Sequence, residues 1–230
     1  MARLLVLVDN EPGEGLRNSW GLSILVERGG RRILFDADTE PDVLEYNVKA
    51  LGVDLGSVEY AVLSHPHSDH YGGFEYVGRV AKGLTVYVPR GSGRVASLLR
   101  RWGLRPVENR ESRMIGEGVY LVGPLEGWYA GSIMEQALLV RGDRGYALLV
   151  GCSHPGVDRL AATAHELVGE RLYMVIGGYH QPPRDVIDRL AEHTRLMCAI
   201  HCSGEAAREY IRREYPDAYC EARTGSVLEF

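Results

Sequence analysis

A short polar segment between an apolar run and a glycine pair restricts the fold of this chain more than any other feature. It reads His-x-His-x-Asp-His, and four candidate metal ligands lie within six residues: His65, His67, Asp69 and His70. Residues i and i+2 of an extended turn point the same way, so His65 and His67 can bind one ion. Asp69 and His70 then begin a predicted helix and can reach a second ion. Imidazole and carboxylate groups suit Zn, Fe or Mn.

Apolar runs separated by turn residues predict a series of buried or half-buried strands. These runs are residues 4–8, 22–26, 33–35, 60–63, 84–88, 119–122, 137–140, 146–150, 174–176 and 197–200. Helical patterns fall at residues 41–51, 157–168, 183–193 and 205–215. Hairpins come first, and strands then alternate with helices. This order predicts an α/β fold with four layers, an αβ/βα sandwich in which helices flank two facing sheets. No linker interrupts it, so we expect one domain over residues 1–230.

Three further histidines follow predicted strands and glycine-containing turns: His154, His180 and His201. If these strand ends meet in one groove, His154 and His201 complete the ligand set of two ions. Six ligands then suffice, so we expect His180 to contact substrate or donate a proton. We assign Asp69 a second, catalytic role as an orienting group or base. His165 and His193 lie inside helical patterns, where surface or packing roles are expected.

Bulk properties exclude some partners. The net charge of -5 and the pI of about 5.9 give no attraction to nucleic acid or to an anionic membrane. No apolar stretch reaches the roughly 18 residues of a membrane span, and the first apolar run is too short for a signal peptide. We therefore expect a cytoplasmic protein with a small-molecule substrate. The cysteines at positions 152, 198, 202 and 220 form no CxxC pair, so we expect reduced thiols.

The His-x-His-x-Asp-His motif resembles that of the metallo-β-lactamase superfamily, and the likeness extends over essentially the whole chain. The Phe35-Asp36 pair matches the early aspartate that orients the metal loop in this superfamily. The resemblance implies that His65, His67 and a third histidine hold one divalent ion. Asp69, His70 and a late histidine would hold a second ion. The expected metal is Zn, with Mn or Fe as alternatives.

The chain departs from the usual pattern of this superfamily at two places. Residues 131–136 contain no histidine, although most members carry their third histidine before the Gly-Asp turn. The turn itself reads Gly151-Cys152, so a cysteine stands where the bridging aspartate is expected. His154 is the candidate for the missing ligand. The sequence leaves open whether Cys152 ligates metal, bridges two ions or packs.

A set of short motifs is similar to the dihydropterin synthase-like branch of the superfamily. The motifs are Leu7-Val-Asp-Asn10, Trp20-Gly-Leu-Ser23, Phe35-Asp36, Asn47, Leu51-Gly-Val-Asp54, Glu135-Gln136, Gly151-Cys-Ser-His-Pro-Gly156, Gly177-Gly-Tyr-His180 and His201-Cys-Ser-Gly204. Members of this branch include the synthase of methanopterin-type cofactor biosynthesis. Its reaction joins an aniline nitrogen to a dihydropterin methylene group and expels pyrophosphate. The resemblance implies a phosphorylated or pterin-like substrate.

Two other functions use the same residues. One is metal-dependent hydrolysis of a phosphoester or lactone, and the other is non-catalytic binding of metal or pterin. The segment from Tyr87 to Tyr129 is the candidate specificity pocket, because Trp102, Trp128 and Tyr129 could stack on a flat ring. Core packing explains these aromatic residues equally well. Arg184 is either a phosphate contact or a solvated helix residue.

Overall fold

The computed structural model describes residues 2–230 and contains strands and helices in the predicted alternation. The strands are β1 (Ala2–Val8), β2 (Ser23–Arg28), β3 (Arg31–Phe35), β4 (Tyr60–Val62), β5 (Thr85–Pro89), β6 (Arg105–Asn109), β7 (Arg113–Gly116), β8 (Val119–Trp128), β9 (Ser132–Gly142), β10 (Gly145–Val150), β11 (Leu172–Gly178), β12 (Thr194–Ile200) and β13 (Val227–Glu229). The helices are α1 (Pro41–Ala50), α2 (Ser68–Tyr71), α3 (Phe74–Val80), α4 (Gly93–Arg101), α5 (Val157–Val168), α6 (Arg184–His193) and α7 (Glu205–Glu214). Each predicted apolar run and each predicted helix corresponds to one of these elements.

The chain divides into two compact units, and the first contains residues 2–109 and Arg223–Glu229. Its sheet has the strand order β13-β1-β2-β3-β4-β5-β6. The strands β1, β2 and β3 pair in antiparallel fashion, and Gly29 and Gly30 form the hairpin turn with positive φ angles. From β3 to β6 the pairing is parallel. The carboxyl ends of these parallel strands therefore lie along one edge of the first sheet.

The second unit contains Arg110–Ala222 and Phe230, and its sheet has the order β12-β11-β10-β9-β8-β7. The strands from β7 to β10 pair in antiparallel fashion, whereas β10, β11 and β12 are parallel. Hairpins followed by parallel strands thus occur in both units. Again the carboxyl ends of the parallel strands share one edge of their sheet.

Each unit has its own apolar core between its sheet and its helices. In the first unit, Leu44 of α1 and Phe74 of α3 are fully buried in one cluster with Leu34 of β3. In the second unit, Leu160 of α5 and Leu190 of α6 belong to a cluster that includes strand residues of β9 to β12. Burial of this apolar surface fixes the helices against the sheets and thereby positions the strand ends. Among residues 2–230, no helix is long and apolar enough to span a membrane.

The expectation of four reduced cysteines is wrong for two of them, because Cys198 and Cys220 form a disulfide. Tyr219 pairs with Met197 of β12, and the backbone N–H of Cys220 donates to the carbonyl of Met197. This contact aligns the two thiols, although 22 residues separate them in sequence. The pairing depends on how the chain after α7 returns to β12, which no local cysteine spacing encodes. Cys152 and Cys202 are free and buried.

Replacing Cys220 with serine is expected to lower the free energy of unfolding by about 3 kcal/mol under oxidising conditions, because the cross-link restricts the unfolded chain. Urea denaturation of the wild-type and variant proteins measures this difference. The matched control repeats both titrations in reductant, where the two proteins should become equally stable. Four titratable thiols in unreduced, denatured wild-type protein would contradict the assignment.

Candidate metal-binding and catalytic clusters

The predicted ligands of the first unit lie at the carboxyl end of β4, in a segment we call the metal loop (residues 64–70). His65 is the third residue after the end of β4, and Asp69 and His70 lie on the short helix α2, as expected. His65 and His70 are fully buried, whereas His67 and Asp69 are partly exposed. A ligand would therefore approach the buried imidazoles from the side on which His67 and Asp69 reach solvent.

The ligand atoms of the metal loop face one another at distances suited to metal binding. Nε2 of His65 lies 3.2 Å from Nδ1 of His67. Two nitrogen ligands on one tetrahedral Zn ion lie about 3.3 Å apart, so this pair fits a common ion. Nε2 of His70 lies 3.6 Å from a carboxylate oxygen of Asp69. The ring centroids of His65 and His70 are 4.1 Å apart, which brings all four predicted ligands together.

Asp36 holds the metal loop from the end of β3. Its carboxylate accepts hydrogen bonds from the backbone N–H and the hydroxyl of Ser64, both at 2.7 Å. The same carboxylate lies 2.7 Å from Nδ1 of His70. Complete burial raises the pKa of Asp36, and these hydrogen bonds oppose part of that effect. The arrangement leaves Nε2 of His70 pointing away from Asp36, toward Asp69.

Ser64 fixes the tautomer of His65. Its hydroxyl donates its proton to Asp36, so it can only accept a hydrogen bond from Nδ1 of His65 at 2.9 Å. Nδ1 of His65 then carries the proton, and Nε2 presents its lone pair. This is the state in which a neutral histidine binds metal.

The two glycines after the metal loop allow its close approach to the segment after β3. A Cβ on Gly72 would lie 2.0 Å from the carbonyl oxygen of Thr39, and one on Gly73 would lie 2.0 Å from that of Ala37. Neither backbone oxygen can move without disrupting the turn that carries Asp36. The glycine pair is thus required for packing.

In the second unit, Glu135 organises the turn after β10. One carboxylate oxygen accepts from the backbone N–H groups of Cys152 and Ser153 at 2.9 and 2.8 Å. The other oxygen lies 2.8 Å from both the backbone N and Nδ1 of His154. Burial alone would raise the pKa of Glu135, but the contacts with His154 and the backbone donors outweigh it and lower the pKa. With Nδ1 bonded to Glu135, Nε2 of His154 is the nitrogen that can bind metal.

The role of Glu135 is the main feature that the sequence analysis missed. Glu135 contributes to the branch resemblance, but the sequence assigns it no function. Its position two residues before the apolar run of β9 is the available signal, because a carboxylate within a buried strand requires partners. The strand therefore carries a residue that supports the predicted ligand His154.

Replacing Glu135 with glutamine is expected to lower the free energy of unfolding by about 3 kcal/mol. The amide NH2 group would face buried N–H donors and leave at least one without an acceptor. Chemical denaturation measures the loss. The matched control is Glu126→Gln on the exposed part of the same hairpin, which should change stability by less than about 0.5 kcal/mol. Equal, small effects in both variants would contradict the proposed support role.

The remaining candidate ligands of the second unit follow the strands β11 and β12. Together with the ligands in the turn after β10 they form a group that we call the histidine–cysteine cluster: Cys152, His154, His180, His201 and Cys202. Ring centroids of His154 and His180 are 4.7 Å apart. Ligand atoms of Cys152, His180 and Cys202 all lie within 4.8 Å of one another. A hydrogen bond from the Cys152 thiol, aided by His180 and the nearby His201, lowers the pKa of Cys202 to about 4. Nitrogen and sulfur donors suit Zn or Fe better than Mg or Ca.

Backbone conformation is unusual at this cluster. His180 and His201 have φ angles of 56° and 51°, and Ser153 has a φ of 63°. Left-handed conformations of non-glycine residues cost on the order of 1–3 kcal/mol each and concentrate at functional sites. At Gly178, an added Cβ would lie 2.6 Å from the sulfur of Cys202. The three strand ends therefore approach each other closely, which gathers donors from distant parts of the chain.

The other predicted residues fall into three groups. His165 and His193 contact each other with their Nδ1 atoms 3.1 Å apart, in agreement with a packing role. Trp102 is half-buried and packs against the apolar core of the first unit, which favours the packing role. Trp128 ends β8 and is 75% exposed, and Tyr129 directly follows the strand and is 53% exposed. Of these two residues, Tyr129 has ring contacts with both His154 and His180.

The comparisons with known proteins agree with this fold and these motifs. The model of the metallo-β-lactamase superfamily matches residues 21–182. The chain therefore belongs to the metallo-β-lactamase superfamily, whose members usually bind divalent metals, and the predicted α/β fold class is confirmed.

A particular relative is 7,8-dihydropterin-6-methyl-4-(β-D-ribofuranosyl)-aminobenzene-5'-phosphate synthase of Methanocaldococcus jannaschii. It is 24% identical, and the alignment covers 91% of this chain and 90% of the synthase. The crystal structure of Tm1679, a metal-dependent hydrolase of the β-lactamase superfamily, has a TM-score of 0.83 at 25% identity and covers 100% of this chain and 99% of that one. A diphosphatase from the PhnP family has a TM-score of 0.70 at 17% identity, covering 100% of this chain and 97% of that chain, and it shares the fold.

Proposed function

We propose that this protein is a metal-dependent synthase that condenses a dihydropterin pyrophosphate with an aminobenzene ribofuranosyl phosphate and releases pyrophosphate. The observation that carries this proposal is the likeness to the synthase of Methanocaldococcus jannaschii along 91% of the chain. The branch motifs support it, because Glu135, Cys152, His154, His180 and His201 all lie in one organised cluster. The residues that match the branch motifs in sequence therefore also lie close together in the fold.

We propose that six residues are ligands of two divalent ions. They are His65, His67, Asp69 and His70 of the first unit and His154 and His201 of the second. Support comes from the hydrogen bonds that orient His65, His70 and His154 through their Nδ1 atoms. Zn fits this donor set best, with Mn and Fe as alternatives. A bound divalent metal supplies positive charge that stabilises the leaving pyrophosphate.

Under this proposal, the side chains of the protein orient the two substrates and transfer a proton. The carbon–oxygen bond to pyrophosphate breaks, a carbon–nitrogen bond to the aniline forms, and the nitrogen loses a proton. His180 is partly exposed beside His154, so it can donate a proton to the leaving oxygen. Catalysis of this kind depends on orientation and electrostatics, and it needs no nucleophile from the protein.

Hydrolysis of a phosphoester or a lactone is the second candidate function. The likeness to the metal-dependent hydrolase Tm1679 at a TM-score of 0.83 favours it. In that reaction Asp69, partly exposed and adjacent to His70, would orient the attacking water or accept its proton. The same ligands serve both reactions, so only substrate turnover distinguishes them.

The deciding experiment incubates metal-loaded protein with the dihydropterin pyrophosphate and the aminobenzene partner. We expect a condensation product by mass spectrometry and an equal amount of released pyrophosphate. A parallel panel of phosphodiesters and lactones tests hydrolysis, and His201→Ala protein is the matched control for the metal requirement. Turnover of the panel without condensation would replace the synthase with the hydrolase. Binding of metal and pterin without any turnover would indicate a binding protein.

A cytoplasmic location completes the proposal. Its test is cell fractionation, in which we expect the protein to follow a cytoplasmic marker. The Cys198–Cys220 disulfide counts against this location, because most cytoplasmic proteins keep their thiols reduced, and recovery of the protein outside the cytoplasmic fraction would contradict the proposal.

A further inference from the structure

We propose that Tyr129 forms one wall of a binding site for the flat ring of the substrate, a bicyclic heteroaromatic such as a dihydropterin. This inference rests on the proposed function, because it names the residue that would recognise the ring. It separates Tyr129 from its neighbour Trp128, which the sequence alone makes an equally good candidate. The argument depends on the two faces of the hairpin formed by β8 and β9.

The register of the hairpin assigns Trp128 to one face, and the ring contacts of Tyr129 place it beside the histidines. Directly opposite residues share a face, and successive residues alternate. Leu125 pairs with Glu135 and Gly127 with Ile133, so these four residues occupy the face that holds the turn of His154. Glu126 pairs with Met134 and Trp128 with Ser132 on the other face. Trp128 therefore points away from the histidine–cysteine cluster.

Gly127 fixes the distance between the hairpin and the turn of His154. A Cβ at this position would lie 2.4 Å from the carbonyl carbon of His154 and 2.6 Å from the nitrogen of Pro155. The strand backbone thus passes close to the turn, and Tyr129, directly after the end of β8, has its ring beside that of His154. The tight turn that follows closes with the N–H of Tyr129 donating to the carbonyl of Gly131 at 2.9 Å.

Tyr129 completes a cluster of three rings. Its ring centroid lies 5.5 Å from that of His154 and 5.3 Å from that of His180, with an edge-on geometry to His180. Yet Tyr129 keeps 53% of its surface exposed. Tyr129 thus contacts both histidines and still has about half of its surface open to solvent, so part of its side chain is available to stack on a flat ring. The proposed proton donor His180 is then in reach of the reacting group on the stacked ring.

The side chain of Tyr129 is suited to bind the flat ring of the substrate and not its phosphate groups. Tyr129 presents a neutral aromatic surface, and aromatic platforms bind flat heterocycles with little dependence on charge. Pyrophosphate needs cations, which the aromatic ring does not supply. We therefore expect changes at Tyr129 to affect affinity for the pterin ring and to leave affinity for pyrophosphate unchanged.

The test measures binding of 6-hydroxymethylpterin to metal-loaded protein by the intrinsic fluorescence of the ligand. This probe has the flat ring and lacks phosphate. We expect Tyr129→Ala to weaken binding by about tenfold or more, the scale of losing one stacked ring. Tyr129→Phe should stay within about twofold of wild type because it keeps the ring. Trp128→Ala is the matched control, since it removes a larger exposed ring from the opposite face, and it should also stay within about twofold.

Absence of saturable probe binding to wild-type protein would overturn the inference, and so would equal affinities of the Tyr129→Ala and Trp128→Ala variants. Metal content and pyrophosphate affinity, measured on the same samples, reveal any general damage to the cluster. Loss of both in Tyr129→Ala would mean that Tyr129 only supports the histidines, which also overturns it. The proposed function fails separately, by absence of condensation product from wild-type protein that binds the probe.

Discussion

We expect His65→Ala and His67→Ala each to remove one metal equivalent and nearly all activity. Nε2 of His65 and Nδ1 of His67 lie 3.2 Å apart, so either substitution takes away half of the pair that fits one ion. Loss of a partner that only orients a ligand weakens metal affinity by about 10- to 100-fold, and loss of a ligand should exceed that range. Elemental analysis after reconstitution, on protein purified without a chelator or an ion-binding tag, measures the metal content.

Two further variants make this prediction specific. Ser64→Ala removes the hydrogen-bond partner of His65 but no ligand, so its metal affinity should fall within that milder range. His193→Ala removes a histidine that packs against His165, and its metal content should match wild type. Fewer than one equivalent of metal in reconstituted wild-type protein would refute the proposed two-ion site. Normal metal content in both alanine variants of the metal loop would refute the ligand assignment.

We expect His180→Ala to lower turnover by about 10²- to 10⁴-fold while both metal ions stay bound, because this variant loses a general acid. By contrast, His154→Ala and His201→Ala should each lose an ion together with activity. Metal stoichiometry and turnover, measured on the same three variants, separate the two roles. The alternative is that His180 is itself a metal ligand. Its ring nitrogen lies within 4.8 Å of the thiols of Cys152 and Cys202, close enough for the three residues to bind one ion.

The pH profile adds a readout for His180. If His180 donates the proton, the fall in activity on the alkaline side should disappear in His180→Ala, because the remaining reaction no longer requires a protonated imidazole. A lost metal equivalent in the His180 variant would instead make it a ligand, and the division between ligands and proton donor would then be wrong.

The strands that the sequence failed to predict share a physical property. All three lie at an edge of their sheet: β6 and β13 end the first sheet, and β7 ends the second. An edge strand is paired on one side only, so it tolerates the polar or exposed residues that these three strands carry. The strand β12, at the other edge of the second sheet, retains an apolar run and was therefore predicted. β6 even contains Pro106, which a central strand would exclude.

The helix α4 was missed for a different reason. It carries its buried residues Val95, Ala96 and Leu99 at helical spacing, so the signal was present in the sequence. Arginines at positions 94, 100 and 101 dilute that apolar pattern. The helix α3 is short and contains Gly78, which lowers its intrinsic helix propensity.

The sequence by itself determined the kinds of donor and their local placement. A strand followed by His-x-His-x-Asp-His brings His65 and His67 together because the spacing of two residues along an extended turn is a local property. Only the tertiary structure decided which distant residues support those donors. Asp36 is 34 residues from His70, and Glu135 is 19 residues from His154. Strand order and register also selected Tyr129 over Trp128 for contact with the histidines. Such pairings depend on the packing of whole sheets, which sums many weak contacts that no short segment contains.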